Sequence, residues 1–129
     1  MNTLYVTDLD GTLLNSNGQI SQYSIQTING LVAKGMQFTY ATARSLVSAS
    51  VVAKGLSTTI PVIAYNGALI IHPDTGEVIS SLSFSEEEAC YVRDVLQAND
   101  GNPLVYSYVD GVERVSYVTG RENRGIRYY

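Results

Sequence analysis

What most restricts the fold of this 129-residue chain is the order of its apolar segments. Over about the first 80 residues, strand-sized runs alternate with helix-sized amphipathic ones. Leu4 to Leu9 reads as a buried strand, and residues 13–20 as a loop. Ile25, Ile28, Leu31 and Val32 share one face of a helix expected over about 22–34, with Ser21 as its N-cap and Gly35 as its stop. Met36 to Thr42 reads as a second strand, Ser45 to Lys54 as a second helix ended by Gly55, and Val62 to Tyr65 as a third strand. Ala68 to His72 and Val78 to Leu82 flank Asp74-Thr75-Gly76, a hairpin turn. Strand and helix in alternation predict an α/β fold around a parallel sheet with right-handed crossovers.

The pattern changes near residue 82. Ser85-Glu86-Glu87-Glu88 is a capping box with acids in the first turn, opening a helix that should run to Ala98 and stop at Asn99-Asp100-Gly101. Leu104 to Tyr108, Asp110-Gly111 and Glu113 to Val118 read as a second hairpin. The expected domains are therefore 1–81 and 82–129, the second a helix and hairpin with no closing element before Tyr128-Tyr129.

Composition narrows the function classes. Hydrophobic residues are 45% and charged residues 16%, a globular balance. No apolar run approaches the roughly 18 residues of a membrane span. The net charge is −4; residues 120–129 carry Arg121, Arg124 and Arg127 against Glu122, +2, which leaves −6 for the remainder. That distribution argues against broad binding to nucleic acid. The single cysteine, Cys90, excludes an internal disulfide and, with no signal-peptide pattern at the N-terminus, gives cytoplasmic location as the expectation. Cys90 should be a small buried hydrophobe, and His72, with no second histidine for a shared metal, a surface or strand-end residue. Tyr106, Tyr108 and Tyr117 lie in expected strands, where β propensity accounts for them.

The chemistry concentrates after the first strand. Asp8 and Asp10 are two carboxylates two residues apart at a strand's carboxyl end, where open α/β sheets bind ligands. Such a pair is costly without a cation, and hard cations such as Mg²⁺ prefer carboxylate and carbonyl oxygens. On spacing alone, two readings stand: a Mg²⁺ site that accepts a phosphate, or a capped strand end followed by an Asp-Gly turn.

Asp8-Leu9-Asp10-Gly11-Thr12-Leu13-Leu14 resembles the first motif of the haloacid dehalogenase superfamily, and its D-x-D-G-T part alone is due by chance in on the order of one in 1,000 chains of this length. Thr39-Tyr40-Ala41-Thr42-Ala43-Arg44 resembles its second motif, with Ala43 where glycine is common. Tyr65-Asn66-Gly67-Ala68 resembles the Asn-Gly-Ala segment of members with a large α/β cap inserted after the third strand, the type IIB or Cof-like group. The resemblance covers the whole chain but about half of a complete member. It implies a Rossmann-like core carrying the start of a cap.

It also implies a mechanism: hydrolysis of small phosphorylated metabolites, such as sugar phosphates, through an aspartyl-phosphate. Asp8 would be the nucleophile, and Asp10 the acid that protonates the leaving oxygen and later activates water. Asp8 and the Asp10 carbonyl would hold Mg²⁺, and Thr42 a phosphate oxygen. Arg44, Asn66, Gly67, Gly11 and Thr12 would complete the substrate side. The family also uses a lysine and a later acidic pair. Lys34 and Lys54 stand at helix ends, and Asp94, Asp100 and Asp110 follow no core strand.

In the family the first strand is central, so its second edge should be open here. A dimer or partner chain could cover it. The expectation is an incomplete phosphatase. Its alternative is a non-catalytic module that binds phosphate, Mg²⁺ or a protein partner. Asn66 after the third strand argues against a phospho-acceptor signalling domain.

Overall fold

A computed structural model describes residues 3–124 and 126–128, and for Tyr128 the backbone only. The expected terminus at Tyr129 lies outside the described residues. The chain divides into two compact units, Met1–Ser83 and Phe84–Tyr129. Among the described residues no helix is long and apolar enough to cross a membrane.

The first unit is α/β. Strand β1 (Leu4–Thr7) pairs in parallel with β2 (Gln37–Tyr40) through Leu4–Gln37 to Thr7–Tyr40. Helix α1 (Gln22–Val32) makes the crossover. It starts where the Ser21 hydroxyl accepts the Ser24 N–H at 3.0 Å, and ends where Gly35 adopts φ 96° and the Met36 N–H reaches back to the Leu31 carbonyl. Helix α2 (Leu46–Val52), capped by Ser45, leads to β3 (Val62–Ala64). A parallel bridge between Ala41 and Ile63 joins β3 to the end of β2. The Thr39 hydroxyl donates to the Pro61 carbonyl across the same seam at 2.9 Å.

The sheet is not parallel throughout. After β3 the chain turns at once through Tyr65–Gly67 into β4 (Leu69–Ile71), antiparallel to β3, and β4 pairs antiparallel with β5 (Val78–Ser81). The β4–β5 connection closes as expected, with Gly76 at φ 72° and a His72 N–H to Glu77 carbonyl bond of 2.8 Å. The sequence reading ended the third strand at Tyr65 and assigned no reversal there, yet Tyr65 and Asn66 both take φ above 50°. Left-handed backbone suits Asn and is unusual for Tyr.

The core of this unit is Leu9, Leu14, Ile20, Tyr40, Ala49, Ala53, Val62, Ala64 and Ile71. Burial pushes the Tyr40 phenol up from its ordinary pKa of 10.0. The expected apolar face of α1 is only half buried, and Leu31 keeps 43% of its surface exposed. Strand β1 shows why: Leu4, Tyr5 and Val6 are each about half exposed, at 47, 53 and 48%. Among the described residues only β2 pairs with β1, so the α1 face meets little apolar surface beyond it.

In the second unit, α3 (Glu86–Ala98) carries the full capping box: Glu88 N–H to the Ser85 hydroxyl, and Ser85 N–H to the Glu88 carboxylate. These bonds hold Glu88 below the usual carboxylate range. The helix stops with Asp100 at φ 57° and the Gly101 N–H on the Leu96 carbonyl. Strands β6 (Val105–Val109) and β7 (Val112–Ser116) pair about an Asp110-Gly111 turn with φ 52° and 75°; β7 starts one residue and ends two residues before the expected Glu113 to Val118. Cys90 is half buried rather than fully buried.

The Tyr65–Gly67 turn yields a stability prediction. Asn66→Ala should cost about 1 kcal/mol through left-handed strain, while Asn66→Gly stays within about 0.5 kcal/mol. Urea denaturation of the chain measures both.

Candidate functional site

Strands β1, β2 and β3 run in the same direction, so their carboxyl ends share one edge of the first unit. The sequence-derived residues sit there: Asp8, Asp10, Gly11 and Thr12 after β1, Thr42 and Arg44 after β2, Asn66 and Gly67 after β3.

The chain does not stay extended after Thr7. Asp8 is extended (ψ 159°), and Leu9–Leu13 then form a single π-helical turn closed by the Leu14 N–H on the Leu9 carbonyl at 2.9 Å. Its geometry departs from helix at Asp10 and at Gly11, which takes φ 74°. A side chain at Gly11 would meet no neighbour, so the positive φ, not space, demands glycine there. Leu9 and Leu14 anchor both ends of the turn in the core and leave Asp8, Asp10, Gly11 and Thr12 exposed at the rim. The run of apolar and polar residues thus has a packing cause: the leucines go in, the chemistry stays out.

Asp8 accepts the Leu9 N–H through one carboxylate oxygen at 2.7 Å, an N-cap contact. Asp10 is held from across the strand edge. Arg44 Nε donates to Asp10 Oδ2 and Arg44 Nη2 to Asp10 Oδ1, both at 2.7 Å. These bonds hold the Asp10 carboxyl below its ordinary 3.8, against the opposing effect of partial desolvation, with the guanidinium charge adding to the lowering. Arg44 Nη1 donates to the Ser48 hydroxyl at 3.0 Å. Ser48 was not singled out from sequence; its position four residues after Arg44, across the Ser45 cap, was the available signal.

Thr42 is buried, with its Oγ1 accepting the Arg44 N–H at 3.2 Å and its own N–H on the Ile63 carbonyl. The loop from β2 is tied to the turn after β3 through Tyr65 N–H to Arg44 carbonyl and Asn66 N–H to Thr42 carbonyl, at 3.1 and 3.0 Å. Hydrogen bonds therefore link the second and third motifs through the backbone, and an ion pair links the first and second. Asn66 and Gly67 are exposed at the end of this chain of contacts.

Among the described residues no group of three or more Asp, Glu, His or Cys could hold a metal ion. The donor set at this edge is the free Asp8 oxygen and main-chain carbonyls, because Arg44 occupies both oxygens of the Asp10 carboxylate. Hard oxygen donors, few in number, fit Mg²⁺, which usually keeps water and substrate phosphate in its shell. Lys34 and Lys54 follow α1 and α2, at the helix ends that feed the amino ends of the next strands, the opposite edge from Asp8. Asp94 pairs with Arg93 and Asp100 with Arg121, both within the second unit.

The Asp10–Arg44 pair gives a pH prediction. A depressed folded pKa adds stability above the unfolded value and loses it as pH falls through the folded one. The stability gap between the natural chain and Asp10→Asn should therefore be present at neutral pH and close below about pH 4. The gap is small, because the Asp10 side chain is 55% exposed. Denaturant titrations across pH 2–7 measure it.

Comparison with known proteins fits this arrangement. A model of the haloacid dehalogenase-like hydrolase family matches residues 5–127. A 5-amino-6-(5-phospho-D-ribitylamino)uracil phosphatase from Bacillus subtilis is 36% identical over 70 residues, 54% of this chain and 26% of its own length. A crystal structure from Thermotoga maritima is 33% identical at TM-score 0.70, covering 100% of this chain and 46% of that one. A haloalkanoate superfamily phosphatase from Bacteroides thetaiotaomicron matches at TM-score 0.71 and 25% identity, over 93% of this chain and 43% of that one. The chain thus spans about a quarter of the curated relative and less than half of each structure. With a family match running from β1 through the second unit and across all three motifs, the chain belongs to the haloacid dehalogenase-like hydrolases.

Proposed function

We propose that this chain carries the nucleophile half of a Mg²⁺-dependent phosphatase acting through an aspartyl-phosphate. The observation that carries the reading is the convergence of Asp8, Asp10 and Thr42 on one strand edge, joined by the 2.7 Å Arg44–Asp10 contacts. Asp8, whose second oxygen has no partner among the described residues, attacks phosphorus. Asp10, ionised against Arg44, takes a proton from the water that attacks the aspartyl-phosphate, and in that protonated form passes it to the leaving oxygen of the next turnover. The buried Thr42 hydroxyl accepts from the Arg44 N–H and keeps its own proton for a phosphate oxygen. Gly11 and Thr12 in the π-helical turn, with Asn66 and Gly67, line the approach; Arg44 sits at the same rim, engaged with Asp10. Asp8 and the Asp10 carbonyl would hold Mg²⁺, which lets the two anions approach each other.

Small phosphorylated metabolites such as sugar phosphates are the proposed substrates. The Bacillus subtilis relative is named for a phosphoribityl compound, which supports that class. The unit from Phe84 is proposed as the start of a cap, and the setting as a reducing cytoplasm, in keeping with the lone Cys90.

A second reading has its own support. Among the described residues no third acid joins Asp8 and Asp10, and both lysines lie at the opposite edge. A catalytically incomplete module would bind phosphate and Mg²⁺ without turning substrate over.

Phosphate release from a panel of sugar phosphates separates the two. The expected outcome is slow release, abolished by EDTA and reduced at least about a thousandfold in Asp8→Asn, roughly 4 kcal/mol of barrier. Binding of Mg²⁺ and phosphate with no release selects the module. Release that ignores EDTA or Asp8→Asn excludes the phosphatase reading.

The half-exposed β1 carries a further proposal, that a second copy or a partner chain pairs with the edge that no strand covers among the described residues. Light scattering after size-exclusion chromatography should show dimers or larger species. Val6→Lys should shift them toward monomer. A natural chain that is monomeric at high concentration removes the edge proposal.

A further inference from the structure

The geometry points to Arg44 and Ser48 as positioning residues that set the Asp10 carboxylate, not as phosphate ligands. The inference rests on the reading of Asp10 as the general acid–base group. Arg44 spends Nε and Nη2 on the two Asp10 oxygens, at 2.7 Å each. A bidentate fork of this kind fixes the plane of a carboxylate as well as its charge. A further contact, Nη1 to Ser48 Oγ at 3.0 Å, holds the guanidinium in turn.

Both anchors are themselves held. Ser48 lies in the first turn of α2, with its N–H on the Ser45 hydroxyl at 3.1 Å. The Arg44 backbone is tied at its N–H to Thr42 Oγ1 and at its carbonyl to the Tyr65 N–H. The side chain therefore leaves a clamped backbone and ends between two fixed partners. A phosphate drawn to this cation would have to share or exchange with the carboxylate already paired to it. Thr42, whose hydroxyl proton has no acceptor among the described residues, offers a donor without that exchange. A carboxylate oriented before substrate arrives also loses no further rotamer freedom at the chemical step.

Side-chain NMR on the whole ¹⁵N-labelled chain tests this without needing turnover. The Arg44 Nε–H signal should be shifted and protected from solvent exchange, and Asp10→Asn should return it to the free arginine position. Ser48→Ala should speed its exchange by about fivefold, as loss of one ordinary hydrogen bond does, and Ser48→Thr should restore protection, which a generally loosened fold would not. On adding orthophosphate with Mg²⁺, the Thr42 amide should move while the Arg44 Nε–H stays in place. An Arg44 signal that follows phosphate, or that ignores Ser48→Ala, overturns the positioning role. If neither Thr42 nor Arg44 responds to phosphate but the Ser48 series behaves as stated, the phosphatase reading fails while the positioning of Asp10 by Arg44 and Ser48 stands.

Discussion

Parallel pairing of β1 with β2, continued to β3 through the Ala41–Ile63 bridge, is the constraint on which the rest depends. Parallel strands need a crossover, so each strand's carboxyl end returns to the same edge with a fresh loop. That alone brings Asp8, Thr42 and Asn66 to one place from positions far apart in the chain. Antiparallel neighbours would have alternated them between opposite edges. The switch to antiparallel pairing at β4 comes only after the third loop has been placed.

Electrostatics then decide which local geometry survives at that edge. Two carboxylates in a five-residue segment repel, and here one is answered by a backbone N–H and the other by a guanidinium. Leu9 and Leu14 supply the mechanical side: buried at either end of the π-helical turn, they set where Asp10 projects. Packing fixes the turn, and the turn delivers the acid to Arg44.

The second unit follows a different logic. A capped helix and a tight hairpin are both local structures, closed by contacts close in sequence. That is why Ser85, Gly101 and the Asp110-Gly111 turn could be located from the residues with so little error. Cys90 was harder, because the depth of burial depends on what packs over a helix, not on the helix itself.

The same distinction separates what the sequence determined from what tertiary structure decided. Caps, glycine stops, strand-length apolar runs and the Asp8 to Thr12 motif are written in short-range chemistry, and they carried the α/β class, the family resemblance and the choice of candidate site residues. The reversal at Tyr65 and Asn66 was invisible because the bonds that hold it come from Thr42 and Arg44, more than 20 residues earlier. The exposure of Leu31 was invisible because periodicity gives the face of a helix and not what packs over it. Above all, the pairing of Arg44 with Asp10 and its support by Ser48 needed the sheet to bring two loops together. Periodicity reports which face a residue prefers; only the packed chain decides what it meets there.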